Sequence, residues 1–433
     1  MTTESFLPLI GGVAGVVRVP GSKSVSNRAL VCAGLADGES HVAGVASGDD
    51  TSRMIEGLQA LGAQMTALPN DQTTSTDVHV QRPIDRRSTH PVQIDAGLAG
   101  TTSRFLTAVA AVRAGTTTIT GGAGLLRRPM GELHRLLQAV GATVHAEREG
   151  HLPVSVAGRG DSSSSDAALE VDARGEVSSQ FISAIMMIAP LLGGMRIRTQ
   201  GEVVSREYLT MTAHVMRTFG AAVDIAPDVI SVSGGTYTGC NFSVDSDWSS
   251  ASYPFAAVAI AGGSVTVPGL RRETTQPEAA FLDVLANMGC TVRHENDAVT
   301  VLRNAQQPLT GIDVDMSAMS DLVPTVAAMA VCASTPSRIR GVGFIRAKES
   351  DRLGDLAGEL AKCGANVVVE PDGLFITPAL LHAADVHTHD DHRLAMSLAL
   401  LGLHTPGIRV HDADVVAKSW PTFWQSMRSA MTR

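Results

Sequence analysis

The chain has 433 residues, 44% hydrophobic and 18% charged, which is enough for two well-packed domains and unlike a disordered protein. Its formal net charge of −9 argues against a nucleic-acid surface, which is normally basic, so the few loops where basic residues gather carry more information. The MTTESFLPLI start lacks a basic n-region and a cleavable apolar core, and the most apolar stretch, 181–195, falls short of the ~20 residues that cross a bilayer and contains Pro190; a cytoplasmic, non-membrane protein is expected.

In chain order, two apolar segments, FLPLIGG (6–12) and VAGVVRVPG (13–21), precede a polar loop, GSKSVSNR (21–28), that runs into the apolar helix ALVCAGLA. A strand ending near Gly44 follows, and then a second, amphipathic helix that closes on Gly62 and turns into a strand, LQALGAQM. The same phrase returns five times. Its loops are GLAGTTSR (97–104), EVSSQ (176–180), DWSSASY (247–253), MSDLVP (319–324) and DDHR (390–393), and its first strands end near Gly121, Gly201, Gly269, Gly341 and Asp412. These positions lie roughly 70–80 residues apart, which marks one supersecondary unit used six times. Second helices closing on Gly141, Gly220, Gly289 and Gly364 place glycine where a helix C-cap needs a left-handed residue. The sixth unit ends after the helix PTFWQSMRSAM (421–431), and the two N-terminal segments are expected to supply its missing strands. One domain is therefore predicted to comprise 1–20 plus 247–433, and the other 21–246. The run GRGDSSSSDAA (158–168) reads as an exposed loop, and the five cysteines as reduced core thiols.

Six helix starts matter because each leaves N–H groups unpaired and carries a partial positive charge, a natural seat for an anion. The charges fall at these starts. Lys23 and Arg28 stand among Ser22, Ser24 and Ser26 in the first loop; Arg127 and Arg128 precede Pro129, one read as solvated and the other as a ligand candidate. Ser178, Ser179 and Gln180 open the third helix, with Ser205, Arg206 and Tyr208 one strand later. The densest cluster, RAKESDRL (346–353), reads as a helix on which Lys348 and Arg352 share a face and Glu349 points elsewhere. Asp321, Arg393 and Lys418 complete the set.

Through PGSKSVSNRAL, AGTTSR, RRPMGEL, SSQF, SDWSSASY, MSDLVP, KESDRL, DDHR and AKSWP, in order over about residues 12–420, the chain resembles the 5-enolpyruvylshikimate-3-phosphate synthase family of enolpyruvyl transferases. The resemblance implies a two-domain inside-out α/β barrel of six βαβαββ repeats, three per domain, that closes on substrate, and a place in chorismate and aromatic amino-acid biosynthesis. It implies transfer of the enolpyruvyl group of phosphoenolpyruvate to the 5-hydroxyl of 3-phosphoshikimate with release of phosphate. By position, it assigns 3-phosphoshikimate to Lys23, Ser24, Arg28, Ser178, Ser179, Gln180, Ser205, Tyr208, Asp321 and Lys348. Phosphoenolpyruvate goes to Lys23, Gly100, Arg128, Gln180, Arg352, Arg393 and Lys418.

Such chemistry needs an acid to protonate the methylene carbon, a base for the hydroxyl, and dense positive charge around two phosphates and two carboxylates. Glu349 is expected as the proton donor to carbon and Asp321 as the base, with Lys23 and Lys418 as rival proton carriers. No metal or organic cofactor is expected, the sequence having no HxxxH or CxxC ligand set, and the protein is expected to act as a monomer. Phe344 and Leu98 stand where many relatives have Asn, Asp390 where they have Asn, and Phe105 where they often have Pro; Phe344 cannot hydrogen-bond a substrate oxygen through its side chain. Two alternatives are a UDP-N-acetylglucosamine enolpyruvyl transferase, disfavoured because GGAGLLRRPMG (121–131) lacks a reactive Cys, and a non-catalytic anion-binding relative.

Overall fold

The computed structural model describes residues 2–9, 11–70, 74–158, 168–176, 178–295 and 297–431; most of the Ser-rich run expected as a loop lies outside them. A strand precedes every apolar helix, so the repeat is strand, helix, strand, helix, strand, strand. The second repeat shows the rule. Val92–Asp95 lies parallel to Thr116–Thr120, across the helix Gly100–Ala110. Val154–Ala157 then pairs antiparallel with Thr116–Thr120 and with Thr143–Ala146. Leu169–Arg174, Gly194–Gln200, Val229–Ser233 and Val223–Ile225 repeat this order, as do Asp313–Asp315, Ser337–Arg340, Gly373–Thr377 and Asn366–Glu370. Alternating burial, as in Ser337–Arg340, turns one face of each sheet to the helices.

The chain divides into a continuous unit, Gly21–Val244, and a discontinuous one, Met1–Pro20 with Asp245–Arg433. Each has its own apolar core. In the continuous unit the core is filled by the helices Lys23–Leu35, Gly100–Ala110 and Ser179–Ile188. The other is filled by Trp248–Ala261, Val323–Ala330 and His392–Leu400. The second crossing falls just before Asp247, whose N–H donates to the Pro20 carbonyl at 2.9 Å.

At both crossings the leading strand is exchanged. The first repeat's Ser40–Ala46 is flanked by Asn241–Ser243, from the far end of its own unit, and the fourth repeat's Gly263–Pro268 by Val13–Val16. This corrects the expectation that both N-terminal segments complete the sixth repeat. Among the described residues the strand added there is Thr3–Glu4, which lies before both segments and runs antiparallel to Ile408–His411, itself also paired with Ala384–His387. A parallel slot beside Gly263–Pro268 is open because the strand before Trp248 has been given to the first repeat.

The helix-closing glycines have positive φ as expected, Gly62, Gly141, Gly220, Gly289 and Gly364 lying between 88° and 103°, and most of the strand ends need the left-handed region too. Gly44, Gly201, Gly269 and Gly341 have φ between 71° and 77°, Gly121 being the exception, and the sixth repeat has Asp412 at φ 55°. A short polar side chain is the substitute that conformation tolerates best.

Candidate active site residues

In the continuous unit the predicted residues cluster around the starts of its three core helices. Lys23 opens the first and its Nζ lies 3.0 Å from Asp50, a buried carboxylate in the first turn of Asp49–Ala60. Arg28, one turn on, is 1% exposed. Its Nε donates to Thr212 at 2.7 Å, its Nη1 to the Ser24 carbonyl at 2.9 Å and its Nη2 to Ser183 at 3.3 Å. The guanidinium also lies over the rings of Phe105 and Tyr208, so Phe105, a departure from the family pattern, supplies one aromatic face for the cation.

At the second helix start, a Cβ on Gly100 would fall 2.2 Å from Arg128 Nη1; the absence of a side chain there is what lets the guanidinium lie against the helix. Of the arginine pair, Arg127 is exposed and Arg128 buried. Leu98, another departure, packs within reach of Gly122 and Gly124 in the same turn. At the third start Ser178 is the N-cap, its Oγ accepting from the Gln180 N–H at 3.3 Å, and Ser179 is buried. Arg104 donates to Gln180 Oε1 and stacks on Phe181, which engages the amide oxygen of Gln180. Ser205 is buried at φ 51°, a costly backbone state for serine that functional sites often retain.

The discontinuous unit assembles a different site. Asp321 lies in the short 3-10 turn Ser320–Leu322 before its helix, yet its side chain does not cap that helix. It instead accepts from Arg393 at 2.7 Å, Arg352 at 3.0 Å and Lys348 at 3.5 Å. Burial opposes its ionisation, but Arg393, Lys348 and Arg352 outweigh both burial and the neighbouring Glu349 and hold the carboxyl well below the usual range. Glu349 is bonded to Arg352 at 2.8 Å and to Lys418 at 3.1 Å. Arg352, 1% exposed, also meets Asp391 through Nε at 2.7 Å and Nη2 at 3.2 Å. Burial disfavours its charge, but Asp391, Glu349 and Asp321 together hold it firmly protonated. Arg393 reaches Ser249 at 3.4 Å, so the starts of all three core helices are joined.

One local expectation fails here. Residues 348–353 are not helical; the helix begins at Gly354, with Asp351 accepting from the Leu353 and Gly354 N–H groups at 3.2 and 3.0 Å. Because the loop turns back on itself, Glu349 faces Arg352 rather than pointing elsewhere. Lys348 stands over the Phe344 ring, so that substitution exchanges a hydrogen-bonding amide for a cation-binding face. Sequence reasoning leaves Asp50, Arg104 and Asp391 out of the site. The signals available were the acidic pairs 49–50 and 390–391, each of which reads as an ordinary helix cap. Among the described residues no group of three or more His, Cys, Asp or Glu could hold a metal ion, and no helix is long and apolar enough to cross a membrane.

A family model described as EPSP synthase (3-phosphoshikimate 1-carboxyvinyltransferase) matches residues 9–427. A 3-phosphoshikimate 1-carboxyvinyltransferase of Methanoculleus marisnigri is 39% identical over 427 residues, covering 96% of this chain and 97% of its own. One from Methanoregula boonei is 38% identical over 432 residues, covering 98% and 99%. A solved EPSP synthase of Acinetobacter baumannii superposes with a TM-score of 0.80 at 26% identity, covering 100% of this chain and 98% of that one. The six-repeat fold is thus that of the two-domain inside-out α/β barrel.

Proposed function

The chain belongs to the EPSP synthase (3-phosphoshikimate 1-carboxyvinyltransferase) family, and from that premise we propose how its residues divide the reaction. It transfers the enolpyruvyl group of phosphoenolpyruvate to 3-phosphoshikimate, a step of aromatic amino-acid biosynthesis. The names of the relatives give no support to UDP-N-acetylglucosamine as acceptor.

The observation that carries the assignment is the paired-carboxylate network of Asp321 and Glu349. Asp321, held ionised by three cations, is suited to accept the proton of the 5-hydroxyl. Glu349, bonded to Lys418 and Arg352, is suited to deliver a proton to the methylene carbon, with Lys418 as the group from which that proton is replenished. Protonation turns the methylene into a methyl group; the C2 cation takes the hydroxyl oxygen, whose proton passes to Asp321, and the tetrahedral ketal expels phosphate by cleavage of its C–O bond while a methyl proton returns to Glu349. Arg128, Arg352, Arg393, Lys418 and the backbone at Gly100 hold phosphoenolpyruvate, with Lys23 and Gln180 serving both ligands. Ser24, Arg28, Ser178, Ser179, Ser205 and Tyr208 hold 3-phosphoshikimate, Asp321 and Lys348 meeting its hydroxyls. A cytoplasmic monomer is part of the same reading.

The test is phosphate release with each substrate omitted in turn. Release only with both present is expected; release with UDP-N-acetylglucosamine in place of 3-phosphoshikimate would overturn the acceptor.

A further inference from the structure

Glu359 is a buried carboxylate that the assignments above leave without a task. It sits on the helix Gly354–Lys362, directly after the loop that carries Lys348, Glu349 and Arg352, and is 3% exposed. Its oxygens accept from Lys362 Nζ at 2.8 and 2.7 Å, from the His387 N–H at 3.0 Å and from His389 Nε2 at 2.7 Å. Burial opposes its charge, but Lys362, the His387 N–H and His389 outweigh it and lower its pKa.

Two of these partners belong to an unusual turn. His389 and Asp390 are consecutive non-glycine residues in the left-handed region, at φ 51° and 57°, a conformation that persists only where surrounding contacts over-determine it. The Asp391 N–H closes the turn on the Thr388 carbonyl at 2.8 Å. Asp391 then caps the helix His392–Leu400 by accepting from the Arg393 N–H at 2.9 Å, while its carboxylate binds Arg352 and, at 3.1 Å, Ser350. The direction in which Arg352 and Arg393 point therefore depends on a strained turn whose outer anchor is Glu359.

We propose that Glu359 is a positioning residue for phosphoenolpyruvate: through His387 and His389 it holds the 387–390 turn so that Asp391 fixes Arg352 and Arg393 in their working orientation. The inference rests on the functional reading above. If the unaltered protein releases no phosphate, that reading fails; if the unaltered protein is active, the variants below test Glu359 alone.

The experiment compares Glu359→Gln with the unaltered protein in kcat, in KM for phosphoenolpyruvate, and in calorimetric affinity for 3-phosphoshikimate alone. We expect kcat to fall and KM for phosphoenolpyruvate to rise, each about tenfold, the scale on which a small misplacement of reacting groups is felt. Affinity for 3-phosphoshikimate should change much less, because all of its assigned contacts except Asp321 and Lys348 lie in the continuous unit. Adding Asp390→Gly should recover much of the loss, since glycine takes the left-handed conformation without the steric cost. Should Glu359→Gln fail to fold, His389→Ala alters a partly exposed side chain in the same contact and should shift KM for phosphoenolpyruvate severalfold. Unchanged phosphoenolpyruvate kinetics in a folded variant, or equal loss for both ligands without rescue by Asp390→Gly, overturns the proposal.

Discussion

The two units are built on one repeat, yet they treat charge differently at the starts of their core helices. In the continuous unit Lys23 is paired with the single carboxylate of Asp50, while the contacts of Arg28 and Arg104 described above run to hydroxyls, a carbonyl, an amide oxygen and aromatic faces. In the discontinuous unit, Arg352, Arg393, Lys348 and Lys418 are interleaved with Asp321, Glu349 and Asp391. Cations with neutral partners keep their charge for a permanently anionic ligand. Interleaved carboxylates give part of that charge up and gain groups that can move protons. On the assignments proposed above, the same repeat thus carries an anion grip in one unit and proton-moving groups in the other.

The sharpest way to break this comparison is to neutralise the carboxylates. Glu349→Gln and Asp321→Asn should each lower kcat by about 10² or more, with affinity for 3-phosphoshikimate changing less. Near-normal steady-state kcat for Glu349→Gln would remove it as the carbon acid.

Acid should next distinguish one helix of each unit, though not the units as wholes, since burial lowers the pKa of His404 in the discontinuous unit as well. Burial, reinforced by His151, lowers the pKa of His134 in the continuous unit from 6.5 to about 4. Between those values the unfolded chain binds a proton that the folded chain refuses, so stability falls as pH drops through that window, by at most ~1.4 kcal/mol per pH unit. Asp321 behaves in the opposite sense: its lowered pKa contributes stability at and above the ordinary carboxylate range of ~3.9, lost only as pH falls below it. Hydrogen exchange at pH 5 against pH 7 should therefore show protection lost around Gly131–Ala139 before Val323–Ala330. Equal losses in both helices would refute this ordering.

A smaller effect tests the grip. Arg128→Ala should weaken phosphoenolpyruvate by roughly 1.5–3 kcal/mol, the range for a hydrogen bond to a charged group, leaving binary 3-phosphoshikimate affinity unchanged by titration calorimetry. Comparable loss of both ligands would show the subsites to be misassigned. The mildest change is Gly100→Ala, whose new methyl must push the Arg128 guanidinium aside. It should raise KM for phosphoenolpyruvate by less than Arg128→Ala does, because a long side chain can re-seat itself. A larger rise than in Arg128→Ala would place the role of Gly100 in its backbone rather than in the space it leaves.

Much of this was legible in the sequence because repetition multiplies weak signals. A single SKS or GxxG says little, but six polar loops feeding six apolar helices fix the elements and most of their boundaries. Reading failed where geometry is not local. Nothing in VAGV (13–16) says that it will pair with Gly263–Pro268 rather than with the sixth repeat, since any edge of any of these sheets suits it. The KESDR segment has helical charge spacing, but Asp351 accepts from the Leu353 and Gly354 N–H groups and its own N–H donates to Asp355, and the helix begins only at Gly354. Asp50 and Asp391 were hidden by sitting where a helix cap is expected.

The exchanged strands have a consequence for synthesis. Residues 13–16 leave the ribosome early, but their partner, Gly263–Pro268, follows only after the entire Gly21–Val244 unit. That unit can close as soon as Asn241–Ser243 arrives to lie beside Ser40–Ala46, so it matures before residues 13–16 are paired. Residues 13–16 are therefore made before that unit but find their partner only after it, an unpaired strand leading a finished globule and a natural client for a holdase until Gly263–Pro268 is made.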